Sequence, residues 1–176
     1  KMLWGRFTRI IGKQSEIMNK EDNFKEKFKQ ALISTVKVIS DDYKLEKEIN
    51  KNSSSKNYNF FELDNLNTRQ DYIKLRAETD SEALKIKFSD KKIYHKNSPK
   101  NSACKKLYDI SEKIRYETLG SKMLKGISKN LIDNYNYKIS LKRKDQLKSK
   151  DDVSAEEAFE LYMMKKFLGI KLNTFS

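Results

Sequence analysis

This 176-residue chain has only five glycines and one proline. A β-sandwich or barrel needs turn residues every ~8–12 positions, so these counts argue against an all-β fold. The glycines are Gly5, Gly12, Gly120, Gly126 and Gly169, no two closer than six positions. Dinucleotide fingerprints place glycines two apart, and a P-loop places them five apart before a lysine. Neither pattern exists here. His95 and Cys104 are each the single residue of their type, which excludes zinc fingers, zinc ribbons and an internal disulfide. A lone thiol fits a reducing, cytoplasmic setting. No apolar run reaches the ~18 residues that a membrane span requires. The hydrophobic set makes up 37% of residues, with nine Phe, nine Tyr and one Trp as anchors, enough to build a core.

With turns scarce, helical periodicity organises the chain. Residues 1–20 read as a leader or an extra amphipathic helix, with Trp4, Phe7 and Ile11 on one stripe. Residues 21–172 read as one helical domain of five or six amphipathic helices. Phe24, Phe28, Ala31, Leu32 and Ile39 follow a spacing near 3.6. Residues 50–56 form the clearest loop. From Thr68, a residue suited to capping, Ile73, Ala77, Asp80, Leu84 and Phe88 repeat on one face, with Asp71 in the first turn. The alternation of Leu84, Ile86 and Phe88 also admits a short β-hairpin near 84–94. Ser98 as cap, Pro99 in the first turn and Gly120 at the C′ position delimit the next helix. Its stripe holds Ala103, Leu107, Ile110, Ile114 and Glu117, while Glu112 and Arg115 lie opposite. Ser121 then caps a helix burying Met123, Ile127, Leu131 and Tyr135, with Gly126 marking a close backbone approach. Ser154 to Glu157 is a capping box for a last helix carrying Phe159, Tyr162, Met163 and Phe167, closed by Gly169.

The formal charge is +13, but only six of the 38 basic residues are arginine. Nucleic-acid readers use arginine for bidentate contacts, so nucleic acid is disfavoured as a partner. Two stretches carry most of the excess. Residues 85–106 hold eight lysines and one acid, and residues 138–150 hold six basic residues and one acid. Both read first as solvated lysine surface, and then as surfaces able to steer an acidic partner or a phosphate backbone. The second has no aromatic residue between Ile139 and Lys150, so it cannot stack bases.

Without a second His or Cys, a catalytic set would have to come from Ser, Lys, Tyr and carboxylates. The paired acids Asp151-Asp152 and Glu156-Glu157 sit where helix starts favour negative charge. Asp41-Asp42 breaks a helix. His95 reads as a surface histidine, Cys104 as a small packing residue and the methionines as core filler. No catalytic residue, metal ligand or resident cofactor is expected.

One set of residues is specific. Arg76-Ala-Glu-Thr-Asp80 is followed by Ala83-Leu84, Asp90, His95 and Pro99. Then come Glu112, Arg115, Glu117, Gly120, Met123, Gly126, Asn130 and Leu131 in fixed order. This pattern resembles the N-terminal region of the CobT subunit of aerobic cobaltochelatase. It departs from that family at Ala77, Ser89 and Lys113. The resemblance implies an all-α domain with a place in cobalamin synthesis. In that family cobalt is inserted into a corrin ring, hydrogenobyrinic acid a,c-diamide, at the expense of ATP. A large subunit holds the tetrapyrrole, an AAA+ subunit hydrolyses ATP, and the T subunit assembles with the AAA+ ring. An acidic linker and a von Willebrand A domain complete the family's T subunit, and no acidic run or Asp-x-Ser-x-Ser motif occurs in these residues. Cobalt, ATP and magnesium would belong to the whole complex, and this chain is expected to be a non-catalytic assembly part of it.

The helical wheel adds expectations for the shared residues. Glu117 should be buried and paired with a cation, for which Arg76 is the candidate. Glu112 and Arg115 should form a partner surface or a local pair. Asn130 should be a buried hydrogen-bonding residue. A homo-oligomer is compatible with the sequence. The competing reading is a basic helical module that binds nucleic acid or proteins generally.

Overall fold

A computed structural model describes residues 23–41, 66–141 and 153–170. Among these the fold is all-α, without a strand. In chain order the helices are α1 (23–40), α2 (Arg69–Phe88), α3 (Lys91–Asn97), α4 (Ser102–Met123), α5 (Lys125–Ser140) and α6 (Ala155–Met163). The last continues into a π-helical turn, Met164–Leu168. The leader at 1–20, the loop at 50–56 and most of the 138–150 stretch lie outside the described residues.

Local chemistry sets the start of α2. The Thr68 hydroxyl accepts from the Asp71 backbone N–H, and the Asp71 carboxylate accepts from the Thr68 N–H at 2.7 Å. This reciprocal box satisfies two amides that a helix start leaves orphaned. The helix then runs unbroken through Phe88, so the hairpin expected as an alternative near 84–94 does not form. In its place Ser89 caps α2, and the Asp90 carboxylate accepts from the N–H groups of Lys92 and Ile93 to start α3. A good N-cap directly after a C-cap makes a corner between helices and leaves no strand to pair.

The start of α4 also moves. Asn101 caps it, its side-chain oxygen accepting from Ala103 and Cys104 at 3.0 and 3.1 Å. Ser98 ends α3 instead, and Pro99 lies in the connection. The α4 stripe is buried only in its second half. Ala103 is exposed, Leu107 and Ile110 are half-buried, and Ile114 and Glu117 are buried.

Gly120 takes the close-approach role expected of Gly126, and Gly126 neither ends a helix nor admits a neighbour. Gly120 does not stop a helix but lies inside α4, which continues to Met123. A Cβ at Gly120 would lie 2.9 Å from Leu84 Cγ and closer still to both of its methyls. Glycine therefore lets α2 and α4 cross closely. Gly126, in α5, has nothing within 4 Å of its Cβ position. Ser121 lies within α4 and is not a cap. Leu124 joins the two helices, and Met123 is 55% exposed despite its place in the expected apolar face.

Helices α2, α4 and α5 contact one another pairwise, and α6 packs on α4. Their shared core holds Ala77, Ala83, Leu84, Ile114, Tyr116, Ile127, Leu131 and Tyr135, joined by Val36 and Ile39 from α1. Phe24 and Phe28 meet Tyr72 edge to face. Ser154 caps α6, accepting from the Glu157 N–H at 3.2 Å. The wider π turn then shifts the buried face to Met164, Leu168 and Ile170, leaving Tyr162 and Phe167 exposed. Gly169 closes the turn in the left-handed conformation, with φ 68°.

Candidate functional site

The shared polar residues converge on the seam between α2, α4 and α5. At its centre Glu117 of α4 is 1% exposed. Its two oxygens accept from the Ser81 hydroxyl of α2 and the Tyr135 hydroxyl of α5, each at 2.6 Å. One turn earlier, Lys113 Nζ lies 5.3 Å from the Tyr135 ring centre and 3.6 Å from Glu160 of α6. Burial pushes the Glu117 carboxyl above its usual range, opposed first by the Lys113 charge and then by the two hydroxyls. The same burial, reinforced by the Glu117 charge, raises Tyr135. Tyr116 is raised chiefly by burial.

Asp80 forms a second buried centre beside it, fully removed from solvent. Its Oδ2 accepts from Asn130 Nδ2 of α5 at 2.7 Å, and its Oδ1 lies 3.6 Å from Arg76 Nε. Desolvation raises this carboxyl, against the pull of Asn130 and Arg76. Asn130 makes the hydrogen bond expected of it, from a half-buried position. Arg76 is not the partner of Glu117. It pairs with Asp80 one turn along its own helix, and the contact to Glu117 comes from Ser81, the next residue in α2.

Glu112 and Arg115 lie on the outer side of α4, as the wheel requires. Arg115 grips Glu112 with two hydrogen bonds, at 3.0 and 2.9 Å, and its Nη2 also donates to the Phe88 carbonyl at 2.9 Å. The pair therefore clasps the end of α2 to α4. Nearby, the Tyr94 hydroxyl of α3 donates to Asp109 of α4, and its ring lies 5.4 Å from that of Tyr108.

The roles of Ser81, Lys113 and Tyr135 in the seam, and the Tyr94–Asp109 contact, were not foreseen from the sequence. Tyr135 did carry a signal, because a tyrosine on a buried face needs a partner for its hydroxyl. His95 is exposed, as expected. Cys104 is also exposed and does not pack, because the first turns of α4 stand clear of the core. Glu156, in the first turn of α6, pairs with Lys106 at 3.3 Å. Among the described residues no group of three or more His, Cys, Asp or Glu is placed to hold a metal ion, and no helix is long and apolar enough to cross a membrane.

What this arrangement does is hold helices in register. Two hydroxyls share Glu117 between α2 and α5, Asn130 ties Asp80 to α5, and Arg115, held by Glu112, ties α4 to the end of α2. No curated protein and no solved structure matches the chain. Residues 22–174 match the family described as cobalamin biosynthesis protein CobT, so the chain belongs to that family and has a part in cobalamin biosynthesis.

Proposed function

We propose that this member of the CobT family is a helical assembly part of an ATP-dependent cobaltochelatase. It docks the AAA+ subunit, and through it the large tetrapyrrole-binding subunit, and takes no part in the bond-forming step. The substrate of the whole complex is cobalt with a corrin ring. The observation that carries this reading is the use made of the family's polar residues. Asp80, Glu117 and Asn130 are committed to one another's helices inside the seam, and Glu112 and Arg115 to the end of α2. Residues spent in this way stabilise a shape that neighbours can recognise.

Co-purification with the AAA+ and large subunits tests the proposal. The chain is expected to co-elute with the AAA+ subunit when nucleotide is present. Arg115→Ala is expected to weaken that association several-fold by releasing the end of α2, while leaving the far-UV dichroism unchanged. Failure to associate under any nucleotide condition would refute the assignment.

A further inference from the structure

Lysines 91, 92 and 96 occupy one side of a helix whose other side is pinned down. At about 100° per residue, Lys91, His95, Lys92 and Lys96 span roughly 140° of α3. All four are exposed, and none of the three lysines has an ion-pair partner among the described residues. Tyr94 faces the other way, where its hydroxyl meets Asp109 and its ring meets Tyr108. Ile93 flanks the lysines and is 59% exposed. The only acid in 85–106, Asp90, is turned into the α3 start and accepts from two of its N–H groups. Arg115 fixes the Phe88 carbonyl just before that corner. A cationic platform with an apolar edge is thus held rigidly at two points.

We propose that the α3 face is a docking surface for an acidic protein segment that carries spaced apolar side chains. Glutamates and aspartates would meet Lys91, Lys92 and Lys96, and an aliphatic side chain would cover Ile93. Nucleic acid fits less well. No arginine occurs between 85 and 106 to fork a phosphate or guanine, and the Tyr94 ring is already engaged. This surface follows from charge and geometry alone and does not rest on the cobaltochelatase reading.

The test uses the full chain and fluorescent probes. These are a glutamate-rich peptide with spaced leucines, an all-glutamate peptide of equal charge, and single-stranded DNA of equal charge. Anisotropy should show the leucine-bearing peptide binding most tightly. Reversing Lys91, Lys92 and Lys96 to Glu should weaken it about tenfold, since three weak exposed pairs are lost together. Ile93→Ser should abolish the preference for leucine. Reversing Lys122, Lys125 and Lys129, exposed lysines of α4 and α5, changes the net charge equally and should have a much smaller effect. The proposal is overturned if DNA binds more tightly than the peptides, if the two peptides bind alike, or if both triple reversals weaken binding equally. Absence of any peptide binding at low salt would overturn it too.

Discussion

Glu117 stands where the α4 stripe would otherwise place an aliphatic side chain, and it is kept there by hydroxyls. Removing it leaves Ser81 and Tyr135 buried without their acceptor, at about 1–3 kcal/mol each. Glu117→Ala is therefore expected to cost about 3 kcal/mol or more in urea denaturation. Glu117→Gln keeps the shape and an acceptor, and should stay within about 1 kcal/mol of the parent chain. Equal losses in the two variants would mean that the hydrogen bonds contribute little beyond volume. Burial of Glu117 was legible from its angular position, one turn after Ile114. Its partner was not. Arg76 is charged and the obvious counter-ion, yet Asp80 lies four residues along the same helix and claims it locally. Neutral hydroxyls such as Ser81 leave no charge pattern from which a long-range pair can be read.

At the scale of elements, two helix starts were legible because their signals are local, whereas α3 and the Asn101 cap were not foreseen. Thr68 with Asp71, and Ser154 with Glu157, form caps within four residues of sequence. Glycine is different, since its two uses look alike in sequence. Either it ends a helix or it admits another element, and only the packed structure decides. Gly120 admits Leu84, which is itself buried and cannot withdraw. Gly120→Ala is expected to lower stability by about 1–3 kcal/mol through overpacking, less its gain in helix propensity. Gly126→Ala meets open space and should raise stability by up to about 1 kcal/mol. Thermal melts of the two variants should thus shift in opposite directions. A shared direction would contradict the close crossing of α2 and α4. The π turn after α6 was unreadable for a related reason. Its extra residue rotates the apolar register, so Met164 and Leu168 replace Tyr162 and Phe167 in the core.

For the whole molecule, the shifted carboxyls oppose one another in pH. Burial raises Glu117 and Asp80 above their ordinary values of 4.5 and 3.8. Through that window the folded chain binds more protons than the unfolded one, so stability falls as pH rises. Asp71 and Glu156 are shifted the other way. A Thr68 hydroxyl lowers Asp71 first, and Glu156 is lowered chiefly by its own backbone N–H and then by Lys106. Their contribution is present above the ordinary values and is lost as pH falls through the lowered ones. A chain of formal charge +13 also gains positive charge as its carboxylates take up protons, and self-repulsion deepens that acid loss. Stability should therefore rise as pH falls through the raised values of the two buried carboxyls, pass through a maximum, and then collapse. Glu117→Gln removes one of the two buried titrations and should lower the rising limb while leaving the collapse in place. Added salt should do the reverse, softening the collapse by screening and sparing the limb set by burial. Urea midpoints across the pH range, with and without salt, separate the two. If Glu117→Gln left the rising limb unchanged, Glu117 would not contribute to it.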